Sequence, residues 1–134
     1  MSFTINDIAK QFKLSPHTIR FYDKEGLLPF VSRNKSGNRE FTESDLNLFR
    51  LICCLKNTGM SIKGIKKYID LVMEGSDTIV QRYRLLKDHR SEIIKQMEAL
   101  QDNLSLIDSK IETYRSPEAA KIIKEKLGMV SEEK

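Results

Sequence analysis

The chain has 134 residues, about the size of one domain, with a formal net charge of +4 and two cysteines. The charge is uneven: residues 1–75 carry twelve Lys/Arg against eight Asp/Glu, whereas residues 76–134 carry eleven of each. The opening MSFTINDIAKQF lacks a continuous apolar core, and the longest aliphatic and cysteine run, Leu51–Leu55, is far too short to span a bilayer. A cytoplasmic protein with no membrane partner is therefore expected, and its adjacent cysteines are not a disulfide framework. A basic half beside a neutral half suggests a polyanion-binding head on a structural tail. A net of +4 alone also fits an ordinary soluble protein.

Thr4 with Asp7 approximates a capping box, and Ile5, Ile8, Ala9 and Phe12 recur at helical spacing, which predicts a first helix over 4–12. A break follows at Lys13-Leu14. Ser15 caps a second helix with Pro16 at its first position, and Gly26 ends it. Two short helices joined by a tight turn form a helix-turn-helix pattern. Pro29 then rules out helix, and Ser36-Gly37-Asn38 is turn chemistry. Phe30-Val31 and Glu40-Phe41 flank that turn as the strands of a small hairpin, a wing with Arg33, Lys35 and Arg39 around its tip. Its bland alternative is a solvated basic loop. Thr42 with Asp45 opens a third helix to about Thr58, and Ser61 caps a fourth that ends at Gly75.

From Ser76 the pattern changes. Positions 79, 83, 86, 90, 93, 97, 100, 104, 107, 111 and 114 advance in alternating steps of four and three. They hold Ile79, Tyr83, Leu86, Arg90, Ile93, Met97, Leu100, Leu104, Ile107, Ile111 and Tyr114, a heptad seam broken by Arg90 alone. At about 1.5 Å per residue, such a helix is roughly 55–60 Å long. A head of 75 residues alone cannot cover that seam, so a partner helix is expected, most simply a second copy of the chain; the alternative is that the chain folds back on itself, for which only a short segment remains. Ser116-Pro117 then opens a short last helix ended by Gly128, with VSEEK a frayed tail. The expected class is mainly α: a winged helix-turn-helix head at 1–75, a long dimerisation helix at 76–115, and a short helix and tail at 116–134.

The run Thr18-Ile19-Arg20-Phe21-Tyr22-Asp23-Lys24-Glu25-Gly26-Leu27-Leu28-Pro29 resembles the signature of MerR-type transcription regulators. In that family a threonine, an arginine and two aromatics precede an acidic residue and Gly-Leu; here Phe21 replaces the commoner first tyrosine. The likeness continues through Gly37-Asn38-Arg39-Glu40-Phe41, similar to the family's wing, with Asn38 where an aromatic is frequent. It continues again through Asn57-Thr58-Gly59-Met60-Ser61-Ile62-Lys63-Gly64-Ile65, similar to the turn before the family's fourth helix. The resemblance implies a homodimer with antiparallel long helices on a palindromic operator in double-stranded DNA. Such regulators bend and untwist an overlong promoter spacer so that RNA polymerase engages both promoter elements, an effect of DNA deformability.

A recognition helix enters the major groove with its first residues nearest the bases, which makes Ser15, His17, Thr18 and Arg20 the contact candidates. Arg20 has the two-pronged donor face that chelates a guanine. The resemblance implies that the Tyr22 hydroxyl reaches a phosphate, while Phe21 is expected to pack in the core. Arg39 is the strongest wing candidate, with Arg33 and Lys35 behind it. Ser61 and the N–H groups of Ile62 and Lys63 open a helix N-terminus, a ready phosphate site. For each cation singly, the alternative is a solvated surface charge.

On a helical wheel Cys53 falls on the apolar arc of the third helix and Cys54 opposite it, beside Arg50. Cys53 reads as a small core residue. Arg50, one turn before Cys54, is expected to favour its thiolate, the reactive form. The resemblance adds that one family branch, responsive to aldehydes and other thiol-reactive species, carries a single cysteine at the position of Cys54. That makes Cys54 a sensor candidate for a small electrophile, against plain packing. Two adjacent thiols with His17 and His89 far away do not make a tetrahedral metal set, and no cofactor is implied. A coiled-coil protein whose basic head binds another acidic partner is the competing class. A thiol oxidoreductase fits less well, because the two-residue spacer between thiols is missing.

Overall fold

The computed structural model describes the backbone of residues 2–133 and the side chains of residues 2–126. The elements run α1 (Ile5–Phe12), α2 (Pro16–Lys24), β1 (Ser32–Arg33), β2 (Arg39–Glu40), α3 (Glu43–Asn57), α4 (Ile62–Glu74), a 3-10 turn (Ser76–Thr78), α5 (Ile79–Arg115) and α6 (Ala119–Glu133). The fold is mainly α with a two-stranded wing.

Local chemistry explains most of the boundaries. Thr4 and Asp7 exchange side-chain and backbone hydrogen bonds across the start of α1, and Thr42 and Asp45 do the same at α3. The Ser15 hydroxyl accepts from the Thr18 amide, with Pro16 beginning α2. Lys13, at φ 55°, turns the chain between α1 and α2. Gly26 closes α2 at φ 82°, a left-handed conformation that favours glycine.

The wing differs from expectation in register. Val31 donates to the Leu28 carbonyl, which turns the chain before a strand starts, so the pairing is Ser32↔Glu40 and Arg33↔Arg39. Phe41 instead bridges to Phe3, with bonds of 2.8 and 2.9 Å. At the tip, the Asn34 side chain accepts from the amides of Ser36 and Asn38.

Two compact units divide between Arg90 and Ser91. The first is built on Phe41 and Phe49, both fully buried, with Phe12 edge-on to Phe49 at 4.9 Å. Ile8, Ile19, Leu27, Leu28, Ile52, Ile65 and Ile69 complete the core. The expected boundary at Gly75 falls inside this unit for two reasons. Leu85 and Leu86 of α5 pack on the core, and the Thr78 hydroxyl and Arg82 guanidinium bind the Leu71 and Gly75 carbonyls. His89 is also tied to the head, its Nε2 lying 2.7 Å from Thr58 Oγ1 at the end of α3. The Thr58 hydroxyl also lies within hydrogen-bond distance of the Cys54 and Leu55 carbonyls, which ties His89 to the end of α3.

The second unit holds the rest of α5 and α6. α6 runs on through Gly128 to Glu133, where a stop and a frayed tail were expected, and Lys134 lies outside the described residues. A single glycine within a helix costs only about 1 kcal/mol relative to alanine and need not end it. Among the described residues, no helix is long and apolar enough to cross a membrane.

Candidate nucleic-acid interface

Three of the arginines singled out from sequence converge. Arg20 of α2, Arg33 of β1 and Arg39 of β2 line one cleft of about 360 Å³, together with Thr4, Ile5, Asn6, Asn34 and Asn38. None of these lining residues is a carboxylate, so the cleft is a cationic recess suited to an anion. The helix-turn-helix brings α2 beside the start of α1, and the hairpin folds β1 and β2 over them. Nothing in the sequence pattern marks Thr4, Asn6, Asn34 and Asn38 as members of this cleft. The Asn34-to-Asn38 turn chemistry was visible, but its approach to α1 depends on the Phe3–Phe41 bridge.

Within this cleft the arginines have distinct settings. Arg20 is exposed. Arg33 donates from Nη1 to the Gly37 carbonyl at 2.7 Å, across the wing's own turn. Arg39 is half-buried and donates to Asp23 Oδ2 of α2 from Nε, at 2.7 Å, and from Nη2. Part of Arg39 therefore serves as a strut from wing to recognition helix. The sequence marks Asp23 only as the acidic position of a motif; its partner stands sixteen residues later, at a separation no local pattern reports.

The remaining candidates are dispersed. His17 is exposed and Thr18 half-buried; the hydroxyls of Ser15 and Thr18 lie 3.0 Å apart at the cap of α2. Lys35 is exposed at the wing tip. Ser61, whose hydroxyl accepts from the Gly64 amide, and Lys63 lie away from the cleft, on a groove of about 690 Å³ along α4 that Lys66 and Lys67 also line.

One expectation about α2 is reversed. Phe21 is 45 % exposed rather than packed in the core, and Tyr22 is 7 % exposed, tilted against Phe49 at 6.3 Å. Ile19 and Tyr22 stand three apart and share the buried face, which Phe21 cannot also occupy. Burial, with Cys53 nearby, raises the Tyr22 phenol above its ordinary value, so the hydroxyl stays protonated as a donor.

The two thiols separate as expected: Cys53 is half-buried and Cys54 exposed. Burial, with Cys54 beside it, pushes the Cys53 thiol up to about 11, which keeps it protonated and unreactive near neutrality. The premise about Arg50 fails. Its guanidinium lies over the Phe12 ring at 5.6 Å and donates to Asn47 at 3.1 Å, reaching back toward α1 instead of forward to Cys54. An available ring face and amide oxygen outcompete helical proximity alone.

Along α5, Ile79, Tyr83, Met97, Leu100, Leu104, Ile107, Ile111 and Tyr114 are exposed. Leu86 and Ile93 are half-buried in the chain itself.

Comparison with known proteins agrees with this geometry. Residues 3–71 match the MerR HTH family regulatory protein model, and residues 46–110 match the MerR, DNA binding model. An uncharacterized HTH-type transcriptional regulator of Haemophilus influenzae is 40% identical over 124 residues, 92% of each chain. The HTH-type transcriptional regulator AdhR of Bacillus subtilis is 38% identical over 91 residues, 68% of this chain and 65% of AdhR. The crystal structure of HiNmlR, a MerR family regulator lacking the sensor domain and bound to promoter DNA, superposes with a TM-score of 0.80. It is 41% identical, covering 89% of this chain and 94% of that one. A helix-turn-helix, a wing and an arginine-lined cleft, in a chain matched almost end to end by such regulators, place it in the MerR family of DNA-binding transcription regulators.

Proposed function

We propose that the chain acts in the cytoplasm as a homodimer on a palindromic promoter operator. There it activates transcription by distorting an overlong spacer until RNA polymerase engages both promoter elements. The convergence of Arg20, Arg33 and Arg39 on a cleft lined by no carboxylate carries this reading. In it, Arg20 with His17 and Thr18 reads base edges. Arg33, Lys35 and Arg39 of the wing, the Tyr22 hydroxyl, Ser15, Ser61 and Lys63 hold phosphates. Two such heads, each fixed to DNA on both sides of the recognition helix, are the means by which protein contacts supply bending energy. HiNmlR, bound to promoter DNA without a sensor domain, supports a regulator assembled from the same parts.

The exposed seam of α5 supports the dimer, since eight large apolar side chains on one helical stripe need a partner to leave water. Its charges support the antiparallel arrangement. From Ile79 to Gln96 the helix carries five Lys/Arg and two Asp/Glu; from Met97 to Arg115 it carries two and four. Antiparallel pairing sets the basic half of one copy against the acidic half of the other, and parallel pairing sets like against like. Exposed Cys54, four residues ahead of the Thr58-Gly59 turn that leads into α4, is the proposed receiver of a small electrophile or oxidant.

Titration of Arg20→Ala against the operator and against random DNA at fixed salt tests the reading. A base-reading arginine loses operator affinity by about 5- to 150-fold, from roughly 1–3 kcal/mol of discrimination, with little change on random DNA. Equal loss on both would remove Arg20 from base readout.

A further inference from the structure

We infer that Asp23, an acid on the recognition helix, is a positioning residue for DNA recognition, holding Arg39 and the wing in their binding arrangement. Elementary electrostatics gives the opposite sign. A carboxylate on the helix that faces a polyanion repels it, so its neutralisation should tighten binding. The geometry argues otherwise. Arg39 donates to the same carboxylate oxygen from Nε and from Nη2, and the two side chains are only 20 % and 25 % exposed, so solvent and salt screen the pair weakly. A guanidinium has five N–H donors in a rigid fork. Asp23 engages the Nε edge, and the same Arg39 lines the cleft that Arg20 and Arg33 share. The carboxylate thus sets which donors are left for an anion.

The wing has need of this tie. Its strands are two residues each, and an isolated pair that short is marginal in water. The Phe3–Phe41 bridge fastens its base, while the Arg39–Asp23 pair fastens its arm to α2. Three arginines facing one recess also repel one another, and Asp23 neutralises part of that charge next to Arg39. Without it, Arg39 regains rotamer freedom and the wing its swing, and both must be lost again on binding DNA.

This inference rests on the reading of Arg39 as a DNA contact, and the variants separate the two. The full-length protein is titrated by fluorescence anisotropy against a labelled fragment of its own upstream region at fixed salt. The variants are Arg39→Gln, Asp23→Asn, Asp23→Glu and the Arg39→Gln/Asp23→Asn double, each checked by thermal melting. Arg39→Gln is expected to weaken binding about tenfold, and Asp23→Asn by a similar factor despite removing a negative charge. Asp23→Glu, which keeps a carboxylate for Arg39, stays within about threefold of the parent. In the Arg39→Gln background Asp23→Asn costs nothing more, or tightens binding, because only the repulsion is left to remove. Tightening by Asp23→Asn in the parent chain, with Arg39→Gln still weakened, would overturn the inference alone. A full further loss in the double variant would also overturn it. No effect of Arg39→Gln would overturn the contact reading beneath it. If Asp23→Asn fails to fold, Arg39→Lys, which keeps the charge but lacks the fork, takes its place: unchanged affinity overturns the positioning role, and a loss matching Arg39→Gln supports it.

Discussion

Replacing Leu100 by alanine tests the dimer seam with an internal control. Leu100 is 68 % exposed in the single chain and stands on the four-three stripe. Full burial of a leucine is worth about 1.5–3 kcal/mol, so covering the remaining two-thirds contributes about 1–2 kcal/mol. The retained Cβ lowers the loss to about 1–1.5 kcal/mol per copy, or about 2–3 kcal/mol for a dimer with two copies. At about 1.4 kcal/mol per decade, the dimer Kd rises roughly 30- to 150-fold. Leu106 is 70 % exposed but lies two residues beyond the Leu104 seam position, on the far side of α5. Leu106→Ala therefore leaves association unchanged. Sedimentation equilibrium over a dilution series measures both. Equal weakening by the two variants, or none by Leu100→Ala, would refute the seam: the first would mean non-specific apolar association, the second a different interface.

Cys54 is expected to take up a low dose of a thiol-reactive aldehyde or alkylator near neutral pH while Cys53 stays free; intact-mass analysis of Cys54→Ser and Cys53→Ser decides, and an adduct lost only in Cys53→Ser reverses the assignment. The raised Cys53 thiol also carries a pH signature. Its folded value of about 11 against an ordinary 9.0 gives stability that is fully present below about pH 9 and lost as pH rises through 11. Urea denaturation across that window should show Cys53→Ala losing less stability than the parent, and parallel curves would contradict the burial. Thr58→Val removes the hydroxyl that His89 meets at 2.7 Å and should cost about 1–2 kcal/mol in the same assay, with Thr58→Ser restoring most of it.

The helix starts were legible because they are local. Thr4 with Asp7, Thr42 with Asp45, and Ser15 with Pro16 each meet within one turn, and neighbours three apart in sequence are neighbours in space. The cationic cleft was half legible. Arg20, Arg33 and Arg39 could be chosen by residue type and position, but which of them carries a carboxylate partner could not. Asp23 and Arg39 are joined only once the hairpin folds onto α2. For Phe21 and Tyr22 the deciding signal lies in the sequence: Ile19 at helical spacing allots the buried face to Tyr22 rather than Phe21. Helical proximity points Arg50 toward Cys54, but the Phe12 ring of another helix takes its guanidinium instead. In the last helix, Gly128 looks like a stop, yet one unfavourable residue need not end a helix whose neighbours favour it.

The central claim, a dimeric reader of one operator, is tested most directly by titrating the purified chain against its own upstream region and a scrambled fragment of equal length. The titration is repeated at several salt concentrations. Phosphate contacts from two heads predict a steep fall of affinity with salt, with a logarithmic slope of about −0.9 per phosphate neutralised. Base readout predicts a preference of at least about 10³-fold for the native sequence, with two chains per fragment. Equal affinity for both fragments at every salt concentration would contradict sequence recognition and leave the arginine cleft as a general anion site.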